Sequence, residues 1–527
     1  MESQPWWSMG VESTLDWPSL RPYNLAHIVP IPSPSAAAAT SEGGMDYYQP
    51  DPTWASLQLP RHARGKPSPR STGALDDPQE MTELVDRFMK YIHAKQPVVK
   101  PQVIYDQIGV VQEEGLGWDA ATCLLLIACA LGGICEPYNP AVLEDYSKPS
   151  IDAEQYLRSR EYFDAARKRL GLVMGNASIT GAQCFFLVAG YYVTTFEPLA
   201  AWRNHNMASI MCQHVLADKL VLEGIPKMSM ASPESIPDND LRKLFWSCLK
   251  TEREIANELG FDIANLHLLQ YKALPSLVPD SEPYEAPGGS QHSGSAQGLT
   301  PEQHDQSWFY YLTDIALRKI EIQIESFFQQ QQARQNDLTP ETSESFYGET
   351  LATLADLDRQ IMEHFSQLPA CIAVDTGAGN HGDDDLREYL RLRMLMVRHC
   401  LSRPALHFLL HGVLYNLSDS LRAQAAKIAE RALLIDQYLV THGMTTHRHP
   451  GTWLGIRYTT RAALEMHAVD KAGIPGVSLA PGWQQGIAKL KIALTYWSAE
   501  SRDAWKYLQW LERLDGTGGS SLTPVSI

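Results

Sequence analysis

The stretch DNDLRKLFWSCLKTEREIANELG, residues 238–260, carries a helical period together with its own start and stop. At about 100° per residue, Leu241, Leu244, Phe245, Cys248, Leu249, Ile255, Ala256 and Leu259 share one side, and Arg242, Lys243, Lys250, Asn257 and Glu258 fall elsewhere. Asp238 or Asn239 supplies an N-cap, Asp240 suits the positive end of the helix dipole, and Gly260 gives a left-handed stop. Glu252 interrupts the apolar stripe, projecting within about 20° of its centre. A buried carboxylate needs a partner. Glu252 is therefore read as a structural acid matched by an arginine of a neighbouring helix, with a general acid or ligand contact as the alternative.

The same period recurs on both sides of this stretch. Met81, Leu84, Val85, Phe88, Met89 and Ile92 make one face before Pro97 ends the helix. Trp118 and Asp119 open an apolar helix through Leu131, and helices over 152–170 and 178–193 follow. The next begins near Pro198, which fits a first helical turn, and runs through Trp202, Met207, Met211 and Val215. Beyond 260, Pro275, Pro279 and PGGSQHSGSAQG mark a flexible break near 280–305. Helices are then expected over 308–328 and 346–368, from Asp383, Asp384 and Asp385 to Leu401 with Arg403 and Pro404 beyond, and over 421–439, 455–469 and 487–514. No β-branched alternation is long enough for a sheet, so the fold class is all-α, a large multi-helix bundle.

The chain has 527 residues, 44% apolar and 20% charged, enough for one large or two fused helical units. Residues 1–80 read as a disordered N-terminal arm, 81–514 as the helical domain and 515–527 as a disordered tail. The arm interrupts every apolar cluster with Pro, Ser, Ala and Gly, and its Trp6, Trp7, Trp17 and Trp54 stand among acids. Its LPRHARGKPSPR run holds Arg61, Arg64, Lys66 and Arg70, read as a solvated basic patch, a nuclear-import signal or a minor-groove DNA contact. A net charge of −17 argues against a broad grip on DNA. The most apolar run, 120–134, falls short of the roughly 20 residues of a membrane span, and no secretory leader is visible, so no membrane partner is expected. Eight cysteines without a CxxC pair suit buried thiols in a reducing compartment.

Three sets of residues raise chemical alternatives. Asp384, Asp385 and Glu388 fit a DDxxE pattern that binds magnesium and diphosphate, but Lys243 and Ser247 stand where a second metal motif needs a hydroxyl and a carboxylate. Acids at a helix start already have a structural role, which leaves a magnesium-dependent prenyl-diphosphate enzyme as a remote alternative. His442, His447 and His449 lack an accompanying carboxylate or cysteine, and a polar loop near Pro450 accounts for them as well as a metal does. Phe185, Phe186, Tyr191, Met207 and Met211 are read as core. The chain is expected not to be an enzyme, with no catalytic, cofactor or metal residue. A small effector, if bound, would occupy a cavity between helices.

Taken in order, RFMKYIHAKQPVVKP, GLGWDAATCLLLIACALGG, EQYLRSREYFDAARKRLGLV, SITGAQCFFLVAGYYVTTFEPLAAWRNHNMASIMCQ and RKLFWSCLKTEREIANELGF resemble the fungal-specific transcription factor domain, the middle homology region of fungal regulators. HFSQLP, RHCLSRPALHFLLH and HRHPGTWLGIRYTTRAALEMHAV resemble its second half, so the likeness spans about 81–514. The resemblance implies a nuclear regulator of transcription, often of a secondary-metabolite gene cluster, acting on promoter DNA directly or through another transcription factor and contacting the transcription machinery. Such regulators usually carry two short cysteine clusters that hold zinc ahead of this domain; here the first cysteine is Cys123. A co-regulator or scaffold without direct DNA contact is the alternative, and an upstream exon absent from the gene model would also explain the departure.

Overall fold

The computed structural model describes residues 5–28, 75–138, 154–222, 239–261, 274–275, 301–374, 384–444 and 447–516. Among them every regular element is helical. In chain order these are α1 (Pro78–Phe88), continued by a π turn over Met89–His93, α2 (Pro101–Glu114), α3 (Ala120–Ile134), α4 (Glu154–Arg167), α5 (Leu170–Met174), α6 (Ile179–Thr194), α7 (Pro198–Leu222) and α8 (Asn239–Leu259). The second half holds α9 (Pro301–Gln335), α10 (Pro340–Ser366), α11 (Asp385–Leu410), α12 (Asp419–His442), α13 (Thr452–Ala472), α14 (Trp483–Trp497) and α15 (Arg502–Leu514). None of the described helices is long and apolar enough to cross a membrane.

Short polar side chains start many of them. Asp119 accepts the Thr122 backbone N–H at 2.8 Å to open α3, Ser178 that of Gly181 at 3.0 Å to open α6, and Ser501 that of Ala504 at 3.2 Å to open α15. Asp77 caps α1 from just before Pro78, one turn ahead of the expected start. Inside the first half, α3 is so tightly packed on α1 that a Cβ built on Gly132 would lie 1.8 Å from the Leu84 carbonyl oxygen. Only glycine fits that crossing.

Three apolar cores result. The first joins α1 to α8 with the start of α9 and includes Phe185, Phe186, Tyr191 and Met211 as expected. A second gathers α12 to α15, and a third lies among α9, α10, α11 and α12.

The helix at 238–260 ends at Gly260 in the left-handed region, φ +69°, as its sequence requires. It differs from the expected amphipathic rod in one respect: Lys250, Glu254 and Glu258, on its polar side, are buried too. The second half covers that side with complementary charges. Lys250 pairs with Asp314 at 2.5 Å, Glu254 with Arg318 at 3.0 Å and with Arg393, Glu258 with Arg457 at 2.7 Å, and Arg253 with Glu325. Leu241, Leu244, Phe245, Cys248 and Leu249 turn to the first core, Ile255 and Leu259 enter the second, and the ionic face meets the second half, which makes α8 the seam of the molecule.

Several sequence expectations need correction. Residues 5–28, placed in the disordered arm, are instead ordered in short 3₁₀ turns (Val11–Asp16, Arg21–Tyr23, Leu25–His27). Val11, Trp17, Leu20 and Leu25 enter the second core and Trp6 the third. Local sequence there has no period, but burial of scattered aromatics on a ready-made surface needs none. The rest of the arm, 29–74, lies outside the described residues, as do the tail from 517 and the break over 276–300; residues 301–305 already belong to α9. Helix α11 does not stop at Leu401 but runs through Pro404. Pro404 and its neighbours Ser402 and Arg403 are buried, and the tertiary contacts of Arg403 offset the missing N–H. The single helix expected over 487–514 is two, broken at Ser498–Ser501, and α2 was not anticipated.

Candidate ligand-binding cavity

Where α8 faces the second half, the packing leaves a void of about 220 Å³. Its walls come from both halves: Tyr91 and Lys95 follow α1, Phe186 and Gly190 lie on α6, His205 on α7, Glu254 on α8, Tyr310 and Asp314 on α9, Tyr389 and Arg393 on α11, and His449 and Tyr458 at and within the start of α13. Tyr389, Arg393, His449 and Tyr458 lie deep in the fold yet are only half-buried, because part of their surface faces the void. Apolar surface dominates the lining, with a few polar groups among it, the usual make-up of a small-molecule site.

The charged groups at its edge are compensated by protein. Lys95 pairs with Asp385 at 2.8 Å and lies 4.3 Å from the Tyr389 ring centre. Arg393 reaches Glu254 and, at 3.3 Å, Asp314; Asp314 also holds Lys250. Glu388 accepts from Arg391 at 3.1 Å and from the Tyr438 hydroxyl at 2.8 Å. Burial keeps His205, His447 and His449 neutral. Burial pushes His205 down to about 3, and burial with Lys95 alongside does the same to His447. Burial, with His447 and Lys95 nearby, holds His449 well below its ordinary value. The Nδ1 of His449 accepts the Gly451 N–H at 2.9 Å, so its proton sits on Nε2.

The residues singled out from sequence separate into different places. His449 and His442 reach the cavity wall, while His447 Nε2 meets the Tyr389 hydroxyl at 2.9 Å and stacks on His449. Asp384 caps α11 by accepting the Leu386 N–H at 3.1 Å, Asp385 takes Lys95 and Glu388 takes Arg391, so the three acids of the DDxxE pattern have separate structural partners. Asp383, Asp238, Arg61, Arg64, Lys66 and Arg70 lie outside the described residues.

Glu252 is buried, 1% exposed, and accepts a hydrogen bond from the Ser209 hydroxyl of α7 at 2.9 Å. Arginines of the second half engage Glu254 and Glu258, two and six residues further along α8. Glu252→Ala should still lower stability by about 2–4 kcal/mol, because Ser209 loses its acceptor and a cavity opens. Superimposable denaturation curves would refute this.

A second constellation was missed from sequence. His399 of α11, Asp436 of α12 and Glu465 of α13, all fully buried, bring ligand-type atoms within 4.8 Å of one another, the only such trio among the described residues. Arg403 donates to Glu465 at 2.7 Å and Arg461 stands 3.9 Å away, so this cluster already contains its own cations. Residues so far apart in the chain leave no local motif.

No family model, no curated protein and no solved structure matches this chain.

Proposed function

We propose that the chain is a nuclear regulator of transcription whose helical body is a ligand-responsive control domain. The reading starts from the resemblance over 81–514 and is carried by the position of the cavity. A molecule inside it touches α6 and α8 on one side and α11 and α13 on the other, so its binding energy depends on how the halves sit together. That is the physical requirement for coupling a ligand to a change of state. Promoter DNA, contacted directly or through another transcription factor, and the transcription machinery are the partners, and genes of a secondary-metabolite cluster the targets. Chromatin immunoprecipitation of a tagged copy tests this: enrichment at a restricted set of promoters is expected, and a uniform background across the genome would overturn it.

A further inference from the structure

The chemistry of the cavity restricts what it accepts. The acids along the ionic face of α8 and its neighbours, the buried Glu254 and Asp314 and the half-buried Glu321 and Glu325, are matched in kind by Lys250, Arg253, Arg318 and Arg393, and Lys95 is matched by Asp385. A charged ligand would bring an uncompensated ion into this desolvated space. The wall also carries uncharged polar groups, among them the Nε2–H of His449, the phenols of Tyr310 and Tyr458 and the Gln96 amide, while its Glu388 is paired with Arg391. Rings of Tyr91, Phe186, Tyr310, Tyr389 and Tyr458 contribute flat apolar walls. At about 220 Å³ the void is roughly half as large again as an apolar cavity of about 150 Å³ that takes up benzene.

We propose that this cavity binds an uncharged, flat aromatic molecule of about ten non-hydrogen atoms bearing hydroxyl or carbonyl groups. The ring stacks among the tyrosines, and its oxygen accepts from His449 Nε2 or exchanges hydrogen bonds with the two phenols. This rests on the control-domain reading but concerns a step measurable without DNA.

Gly190 provides the decisive variant. It lines the cavity from within α6, and a Cβ built there would meet no other atom within 4 Å. Gly190→Leu therefore fills the void while removing a glycine from a helix interior, so folding is retained or strengthened as binding is lost. Leu454→Trp fills the void from the opposite wall.

Isothermal titration of the full chain at pH 6.5 with 4-hydroxyacetophenone, 4-hydroxybenzoate and tyramine compares a neutral, an anionic and a cationic phenol of equal size. The neutral compound should bind at one site at least about tenfold more tightly than either ion. It should lose about tenfold or more in affinity in both filled variants, whose melting temperatures show that they fold. No saturable binding of the neutral phenol, tighter binding of either ion, or undiminished binding in a folded filled variant would overturn the proposal. Such failure leaves promoter occupancy untouched, whereas intact binding with no promoter occupancy would remove the regulator reading instead.

Discussion

A chain that begins at residue 29 should unfold at a much lower urea concentration than the full chain, with a loss on the order of 5 kcal/mol. The reason lies in what residues 5–28 cover. Trp6, Val11, Trp17, Leu20 and Leu25 are each at most 5% exposed, and the surface beneath them belongs to two of the three cores. Three arginines of the body also complete their hydrogen bonding on this segment. Arg403 donates to the Ser8 carbonyl and to the hydroxyls of Ser13 at 3.3 Å and Thr14 at 3.1 Å, Arg461 donates to the Met9 carbonyl, and Arg457 donates to Glu12 at 2.7 Å. Each guanidinium keeps an acid on its inner side, Glu465 or Glu258, but its outer N–H groups lose their acceptors.

The same argument fixes the expected single-residue effect. Trp17 packs edge-on to His407 at 6.2 Å with the Arg403 guanidinium 4.8 Å from its ring centre. Trp17→Ala should cost about 3–5 kcal/mol. Urea titrations followed by circular dichroism check both, and midpoints equal to that of the intact protein would show that residues 5–28 rest on the body without stabilising it.

These contacts mark where sequence reading stops. A helix such as 238–260 is legible because its period, its first-turn Asp240 and its terminal glycine are local, and each survives into the structure. So do the starts at Asp119 and Ser178, whereas the cap at Ser501 lies inside a stretch that reads as one continuous helix. Burial of the N-terminal tryptophans is not local: it depends on a surface built some four hundred residues later, as the bond from Arg403 to Ser13 illustrates. Pro404 misleads for the same reason, since local rules end a helix there and tertiary contacts carry it on. The cavity is least legible of all. It exists because helices from the whole chain fail to fill one place, and no single one of them encodes it. His449 was noticed in the sequence for its neighbours His442 and His447, yet the property that matters, a neutral ring with its proton on Nε2, is set by the Gly451 backbone and by burial.

The trio His399, Asp436 and Glu465 carries the other large expected effect. Glu465→Gln should destabilise the protein by about 3–5 kcal/mol, because one carboxylate removed from a site with no exposure leaves Arg403, Arg461 and a protonated His399 facing each other. Burial alone would raise Glu465 and lower His399; the opposite charges outweigh it and hold Glu465 down at about 2 and His399 up at about 9. The pH dependence follows from these directions. Between the ordinary histidine value of 6.5 and about 9, folded His399 keeps a proton that the unfolded chain has released, so stability from this group is complete below 6.5 and falls as pH rises through 9. Glu465 acts in the other window, contributing fully above its ordinary 4.5 and losing that contribution as pH falls towards 2. In Glu465→Gln the charge that holds the imidazole proton is halved, leaving Asp436, which burial itself pushes up. Thermal melts at pH 6.5, 7.5 and 9 should therefore show a decline in the intact protein that flattens in Glu465→Gln and disappears in His399→Gln. Parallel declines in all three proteins would place the titrating group elsewhere and reduce the trio to neutral packing.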